Sequence, residues 1–170
     1  MNMSTLPKTP SGKVAQAPLQ CLANPAARIL FVDDEICIRR VSAEVLTSSG
    51  YQVLAVEDGA IAWEALQVNN YDLVITDHNM PKLTGVELLN KMHAARMALP
   101  VILVTGALPT EQLKRHPWLQ IDATLLKPFT IEELLGTVTN VLRATVSARE
   151  QIEPPPNWQS QPAAGGLRLC

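Results

Sequence analysis

Five side chains of reactive type follow short apolar runs in this sequence. Asp33 and Asp34 come after Ile29, Leu30, Phe31 and Val32. Asp77 comes after Leu73, Val74 and Ile75. Thr105 closes the run Val101 to Val104, and Lys127 follows Leu125 and Leu126. Three carboxylates brought close together repel unless a positive charge sits among them. Carboxylate oxygens suit a hard divalent cation, and Mg²⁺ uses few protein carboxylates and keeps several waters. Asp77 is then a nucleophile able to form an aspartyl phosphate. Lys127 and the cation neutralise charge on phosphoryl oxygens, and the Thr105 hydroxyl can donate to one of them.

That chemistry requires one edge of a fold to collect residues far apart in sequence. The apolar runs, rich in β-branched residues, read as buried strands, and each reactive group stands at a carboxyl end. Arg28 to Val32 is the first strand, Tyr51 to Val56 the second, the run into Asp77 the third, Pro100 to Val104 the fourth and Ala123 to Leu126 the fifth. Helical spacing fills the gaps. A helix from about Glu35 to Ser49 carries Ile38, Val41, Val45 and Leu46 on one face, with Asp34 as N-cap and Gly50 as stop. Asp58-Gly59 opens a second, to about Val68, with Ile61, Ala65 and Leu66 inward. Thr84 caps a third, from about Gly85 to Met97, carrying Val86, Leu88, Leu89 and Met92. Residues 109–116 form a short fourth between Pro109 and Pro117. Thr130 and Glu133 form a capping box for a last helix to about Val146, with Leu134, Val138, Val141 and Leu142 inward. Five strands alternating with five helices predict an α/β fold with a parallel sheet covered on both faces. Open sheets of this kind bind ligands at the carboxyl ends of their strands.

The chain has 170 residues, 47% of them hydrophobic, and a formal charge of −2. It suits one domain with spare length. No Lys/Arg cluster marks a nucleic-acid partner. No apolar run approaches membrane-spanning length, and no apolar h-region follows Lys8 and Lys13. Cys21, Cys37 and Cys170 fit neither a disulfide framework nor a zinc site. A cytoplasmic protein is expected. Residues 1–26 and 147–170 read as disordered tails around a domain at 27–146. His78, His93 and His116 lack metal-ligand spacing and read as solvated surface residues.

Taken singly, Asp33-Asp34 is a turn and cap, Asp77 a turn residue, Thr105 a strand-end hydroxyl and Lys127 a solvated charge. Jointly they resemble the receiver domain of two-component response regulators. The matching stretches are Ile29 to Glu35, Asp77 to Pro81 with Gly85, Val104-Thr105-Gly106 and Lys127-Pro128-Phe129. The resemblance implies a flavodoxin-like (βα)5 sheet of order 2-1-3-4-5. It implies that Asp77 accepts phosphate from a sensor histidine kinase or phosphotransfer protein. It implies Mg²⁺ held by Asp33, Asp34, Asp77 and the backbone carbonyl of Asn79, with Thr105 and Lys127 on the phosphoryl group. The Lys127-Pro128 bond would be cis.

One position departs from the family. Thr124 stands where an aromatic ring usually swings inward, so the surface must switch by another route, such as movement of the 109–116 helix with Trp118. The expected function is a phosphorylation-controlled receiver with no output domain of its own, acting through protein contacts or a phosphorelay. Beyond taking phosphate from a donor and losing it again, no enzymatic activity is expected. A phosphorylation-independent docking module is the alternative. A Mg²⁺-dependent phosphatase similar to haloacid dehalogenases fits less well, because such enzymes carry Asp-x-Asp at the first strand.

Overall fold

The computed structural model describes residues 26–107 and 117–150, with no account of side chains at 149–150. Five strands form one sheet: β1 (Arg28–Val32), β2 (Gln52–Val56), β3 (Leu73–Asp77), β4 (Val101–Thr105) and β5 (Ala123–Leu126). All pairings are parallel and the order is β2-β1-β3-β4-β5. Four described helices accompany it: α1 (Ile36–Ser48), α2 (Gly59–Val68), α3 (Gly85–Ala94) and α4 (Ile131–Glu150). The helix expected over 109–116 lies outside the described residues. Among the described residues, no helix is long and apolar enough to cross a membrane.

Side-chain alternation along the strands sends residues to two faces. Leu30, Val32, Val74 and Leu103 pack with Ala62, Ala65, Leu66, Leu88, Leu89 and Met92 from α2 and α3. Ile29, Phe31, Leu73, Ile75, Ile102 and Val104 pack with Leu46 of α1 and Leu134, Val138 and Val141 of α4. Every residue of β3 and β4 is buried, as parallel strands covered on both faces must be. Phe31 is fully buried, and truncating such a ring costs about 3–5 kcal/mol.

Several helix details differ from expectation. Val41 and Ile61 are exposed at 54% and 38%. The buried positions of α1 are Ser42 and Leu46, and those of α2 include Ala62. Leu46, Ala65 and Leu66 are buried as expected, while Ser42 and Ala62 take the inward places next to Val41 and Ile61. The N-cap of α1 is Glu35, not Asp34, and no side chain caps it. The Asp33 side chain instead accepts the Glu35 amide at 2.8 Å. Helix α4 passes Ser147, where the tail was expected, and reaches Glu150. The residues there, Ser147-Ala-Arg-Glu150, include good helix formers and no Gly or Pro. The caps at Thr84 and Thr130 form as expected, and the Asp58 side chain, not singled out as a cap, caps α2.

Candidate functional site

Register decides what meets at the sheet's carboxyl edge. Val32 pairs with Thr76, so Asp33 and Asp77, each one residue further on, come level. Asp77 pairs with Val104, and Thr105 pairs with Leu126, which sets Lys127 just beyond. Four of the expected residues converge. Carboxylate oxygens of Asp33, Asp34 and Asp77 lie within 4.8 Å of one another. The Lys127 ammonium stands 2.9 Å from Asp33 Oδ2 and 3.3 Å from Asp77 Oδ2. Asp33 and Asp77 are buried, while Asp34 is exposed.

Burial pushes the Asp33 and Asp77 carboxyls above their ordinary range, against the opposing pull of Lys127. Asp33 adds to the rise at Asp77. For Lys127, burial pulls downward, but Asp33 and Asp77 together hold the ammonium above its ordinary value. The cluster is therefore acid-rich around a single shared ammonium. Three oxygen donors at this spacing, two of them buried, match the donor set that a hard divalent cation prefers, so Asp33, Asp34 and Asp77 could hold one.

The remaining two expected residues are placed differently. The Thr105 hydroxyl is fully buried and donates to the Ala107 carbonyl at 2.7 Å. It also accepts the Ala107 amide at 3.3 Å. It is at the edge but committed to its own loop. Asn79 is exposed in the loop between β3 and α3, two residues past Asp77. The Lys127–Pro128 bond is cis.

Other groups at the site were not singled out from sequence. Glu35 adds a third acid to Lys127, at 3.4 Å; its place directly after the Asp pair was the available signal. Arg39 donates to the carbonyls of Asp33 at 2.7 Å and Asp34 at 3.1 Å, bracing the acidic turn from α1. Backbone contacts of that kind leave no mark in sequence. His78 is not a solvated histidine. It is 7% exposed, and its Nδ1 has no hydrogen-bond partner among the described residues. Its position explains this: the sheet is covered on both faces, so the residue facing away from Asp77 is buried too. The His78 amide donates to Asp77 Oδ1 at 2.8 Å and to the Val104 carbonyl at 2.9 Å. His93 is exposed, with its ring 6.5 Å from that of Trp118. His116 lies outside the described residues.

Gly85 fixes how the next helix begins. A Cβ there would run into the Asp77 carbonyl, and the Gly85 amide donates to the His78 carbonyl at 3.1 Å. Only a residue without a side chain lets α3 start this close to the end of β3.

The family model of the response regulator receiver domain matches residues 29–139. The chain belongs to that family. It is 34% identical over 117 residues to the chemotaxis protein CheY of Pseudomonas aeruginosa, covering 67% of this chain and 94% of CheY. It is 36% identical over 116 residues to the sensor histidine kinase RcsC of Escherichia coli K12, covering 68% of this chain. The chain spans 12–13% of the length of the RcsC kinases that it matches. Among solved structures, the chemotaxis response regulator CheY4 of Vibrio cholerae is similar at TM-score 0.62 and 32% identity, over 68% of this chain and 98% of that one. A CheY-like receiver domain protein from Methanospirillum hungatei JF-1 is similar at TM-score 0.68 and 27% identity, over 72% and 98% of the two chains. Both likenesses agree with the flavodoxin-like sheet order found here.

Proposed function

We propose that this chain takes a phosphoryl group onto Asp77 from a phosphohistidine of a sensor histidine kinase or phosphotransfer protein. It then signals by protein contact or passes the group onward. A carboxylate oxygen of Asp77 attacks phosphorus, and the bond from phosphorus to the donor imidazole nitrogen breaks. The electron pair leaves with that nitrogen, which takes up a proton, and a mixed anhydride forms on Asp77. The observation that carries this reading is the convergence of Lys127 on Asp33 and Asp77 within a cluster of three carboxylates.

Asp33, Asp34, Asp77 and the Asn79 carbonyl would hold Mg²⁺. When bound, it would supply positive charge to the phosphoryl oxygens and relieve repulsion among the acids. Lys127 would trade its ion pairs for the arriving phosphoryl group. Thr105 would turn its hydroxyl from the Ala107 carbonyl toward the same group, which gives the switch a local origin. A cytoplasmic location is part of this reading.

The test is transfer from a phosphorylated histidine kinase or phosphotransfer protein, or from acetyl phosphate, in the presence of Mg²⁺. Label on the wild type and none on Asp77→Asn is the expected result; label that survives the substitution removes Asp77 as acceptor. The exposed Thr124 on β5, which brings no ring to the surface, favours one second reading: a docking face indifferent to phosphate. Equal partner affinity with and without phosphorylation would select it.

A further inference from the structure

The loop between β3 and α3 is fastened by a pair of residues outside the acidic cluster. Asp58, just past β2, is 1% exposed. Its Oδ1 accepts the Ala60 and Ile61 amides at 2.9 Å each and so caps α2. Its Oδ2 takes the Lys82 ammonium at 2.5 Å. Lys82 lies in the β3–α3 loop with φ 66°, in the left-handed region that L side chains seldom hold. Such a conformation persists where the surroundings impose it. The Lys82 side chain is 63% exposed, so its ammonium turns in from open water to reach a buried acid. The next residue, Leu83, lies against α2: a Cβ on Gly59 would collide with the Leu83 carbonyl. At its start the loop is tied to the sheet through the His78 amide on Val104. Asn79 sits between these two fastenings.

We propose that Asp58 and Lys82 are positioning residues, whose ion pair holds the β3–α3 loop where the Asn79 carbonyl completes the divalent-cation site of Asp33, Asp34 and Asp77. This rests on the cation reading of that cluster proposed above. Neither side chain is a ligand itself. Groups that orient ligands from behind are worth roughly tenfold or more in metal affinity.

Charge alone makes a different prediction, which allows a clean test. Removing the Asp58 charge makes the neighbourhood less negative and weakens cation binding. Removing the Lys82 charge makes it more negative and strengthens binding. If the ion pair positions the loop, both removals weaken it. The experiment is titration calorimetry of Mg²⁺ into the full chain for wild type, Asp58→Asn, Lys82→Gln and the double variant, with thermal melts to verify folding. Asn keeps the α2 cap. The expected result is about a tenfold loss of Mg²⁺ affinity in each single variant, with no further loss in the double. Lys82→Arg, which keeps the pair, should restore wild-type affinity. Should Lys82→Gln fail to fold, Lys82→Gly serves in its place. It relieves the left-handed residue yet lacks the ammonium, and is expected to show the same loss. Lys82→Gln or Lys82→Gly binding Mg²⁺ as tightly as wild type, or more tightly, overturns the proposal. So does an unchanged Asp58→Asn. A wild type that binds no Mg²⁺ overturns the cation reading and the proposal with it; the two failures are told apart by the wild-type titration.

Discussion

Lys127, just past β5, holds its ammonium 2.9 Å from Oδ2 of Asp33, just past β1. Two strands, β3 and β4, lie between their strands in the sheet. The contact is possible only because parallel register brings those ends to one edge. Asp33 is fully buried and the Lys127 side chain partly so, at 16% exposure. The ammonium is the shared counter-charge for Asp33, Asp77 and Glu35.

Lys127→Ala leaves those acids facing one another. Breaking a buried pair from one side costs several kcal/mol. Because burial already lets Asp33 and Asp77 take up a proton more easily, the expected loss without divalent cation is about 3 kcal/mol. Added Mg²⁺ should recover part of it by replacing the lost charge. Urea unfolding with EDTA and with Mg²⁺ measures both; equal stability of variant and wild type in EDTA would contradict this.

Asp77→Asn should stabilise the cation-free fold. The sign follows from the raised folded-state value. A carboxyl that binds its proton more tightly when folded contributes stability at low pH, and that contribution is lost as pH rises from the ordinary value of 3.8 through the raised one. At pH 7 in EDTA the wild type carries the full cost, so Asp77→Asn is expected to melt a few degrees higher. The gap should close toward pH 4. Mg²⁺ should raise the wild-type melting temperature by linkage more than the variant's. Paired melts across pH are the measurement, and a lower-melting Asp77→Asn at pH 7 would reverse the account.

Gly85→Ala places a Cβ against the Asp77 carbonyl. The helix start or the strand end must move, at a cost of about 1–3 kcal/mol. Because the displaced atom belongs to Asp77, phosphate uptake should fall more than stability alone explains. Denaturant unfolding together with acetyl phosphate labelling separates the two effects; a variant with wild-type values in both would show that the close approach is unimportant.

Thr105 reports on switching through Ala107. If its hydroxyl leaves the Ala107 carbonyl for a phosphoryl group, the Ala107 amide loses its bond to the same hydroxyl. Adding beryllofluoride with Mg²⁺ should shift the Ala107 amide resonance in wild type and much less in Thr105→Ala. An unmoved wild-type resonance argues for a switch that bypasses Thr105.

The strands and their edge were legible because buried parallel strands leave unbroken apolar runs, and a charged residue at the end of such a run has little packing role. That pattern marked out Asp33, Asp34, Asp77 and Lys127, and the uncharged Thr105 was added as the hydroxyl closing the fourth run. Helix faces were less legible. Val41 and Ile61 are apolar yet exposed, while their neighbours Ser42 and Ala62 are buried beside the expected Leu46, Ala65 and Leu66, because apolar residues on adjacent positions leave the helix's rotation open by one residue. His78 was misplaced because polarity suggested water, whereas β3 is covered on both sides. Glu35 and Arg39 reach the site through contacts with Lys127 and with the Asp33 carbonyl, and Asp58 meets Lys82 across 24 residues; residue type alone does not encode such pairings. Which way the Thr105 hydroxyl turns likewise depends on its neighbour's carbonyl, a matter of backbone geometry rather than residue type.

The most direct measurement is intact-protein and peptide mass spectrometry after incubation with acetyl phosphate and Mg²⁺. One added phosphoryl group, labile to base, mapping to the peptide containing Asp77 and absent in Asp77→Asn or in EDTA, is the predicted result. A chain that stays unmodified under those conditions and with a phosphorylated histidine donor, or one modified at a residue other than Asp77, would contradict the account.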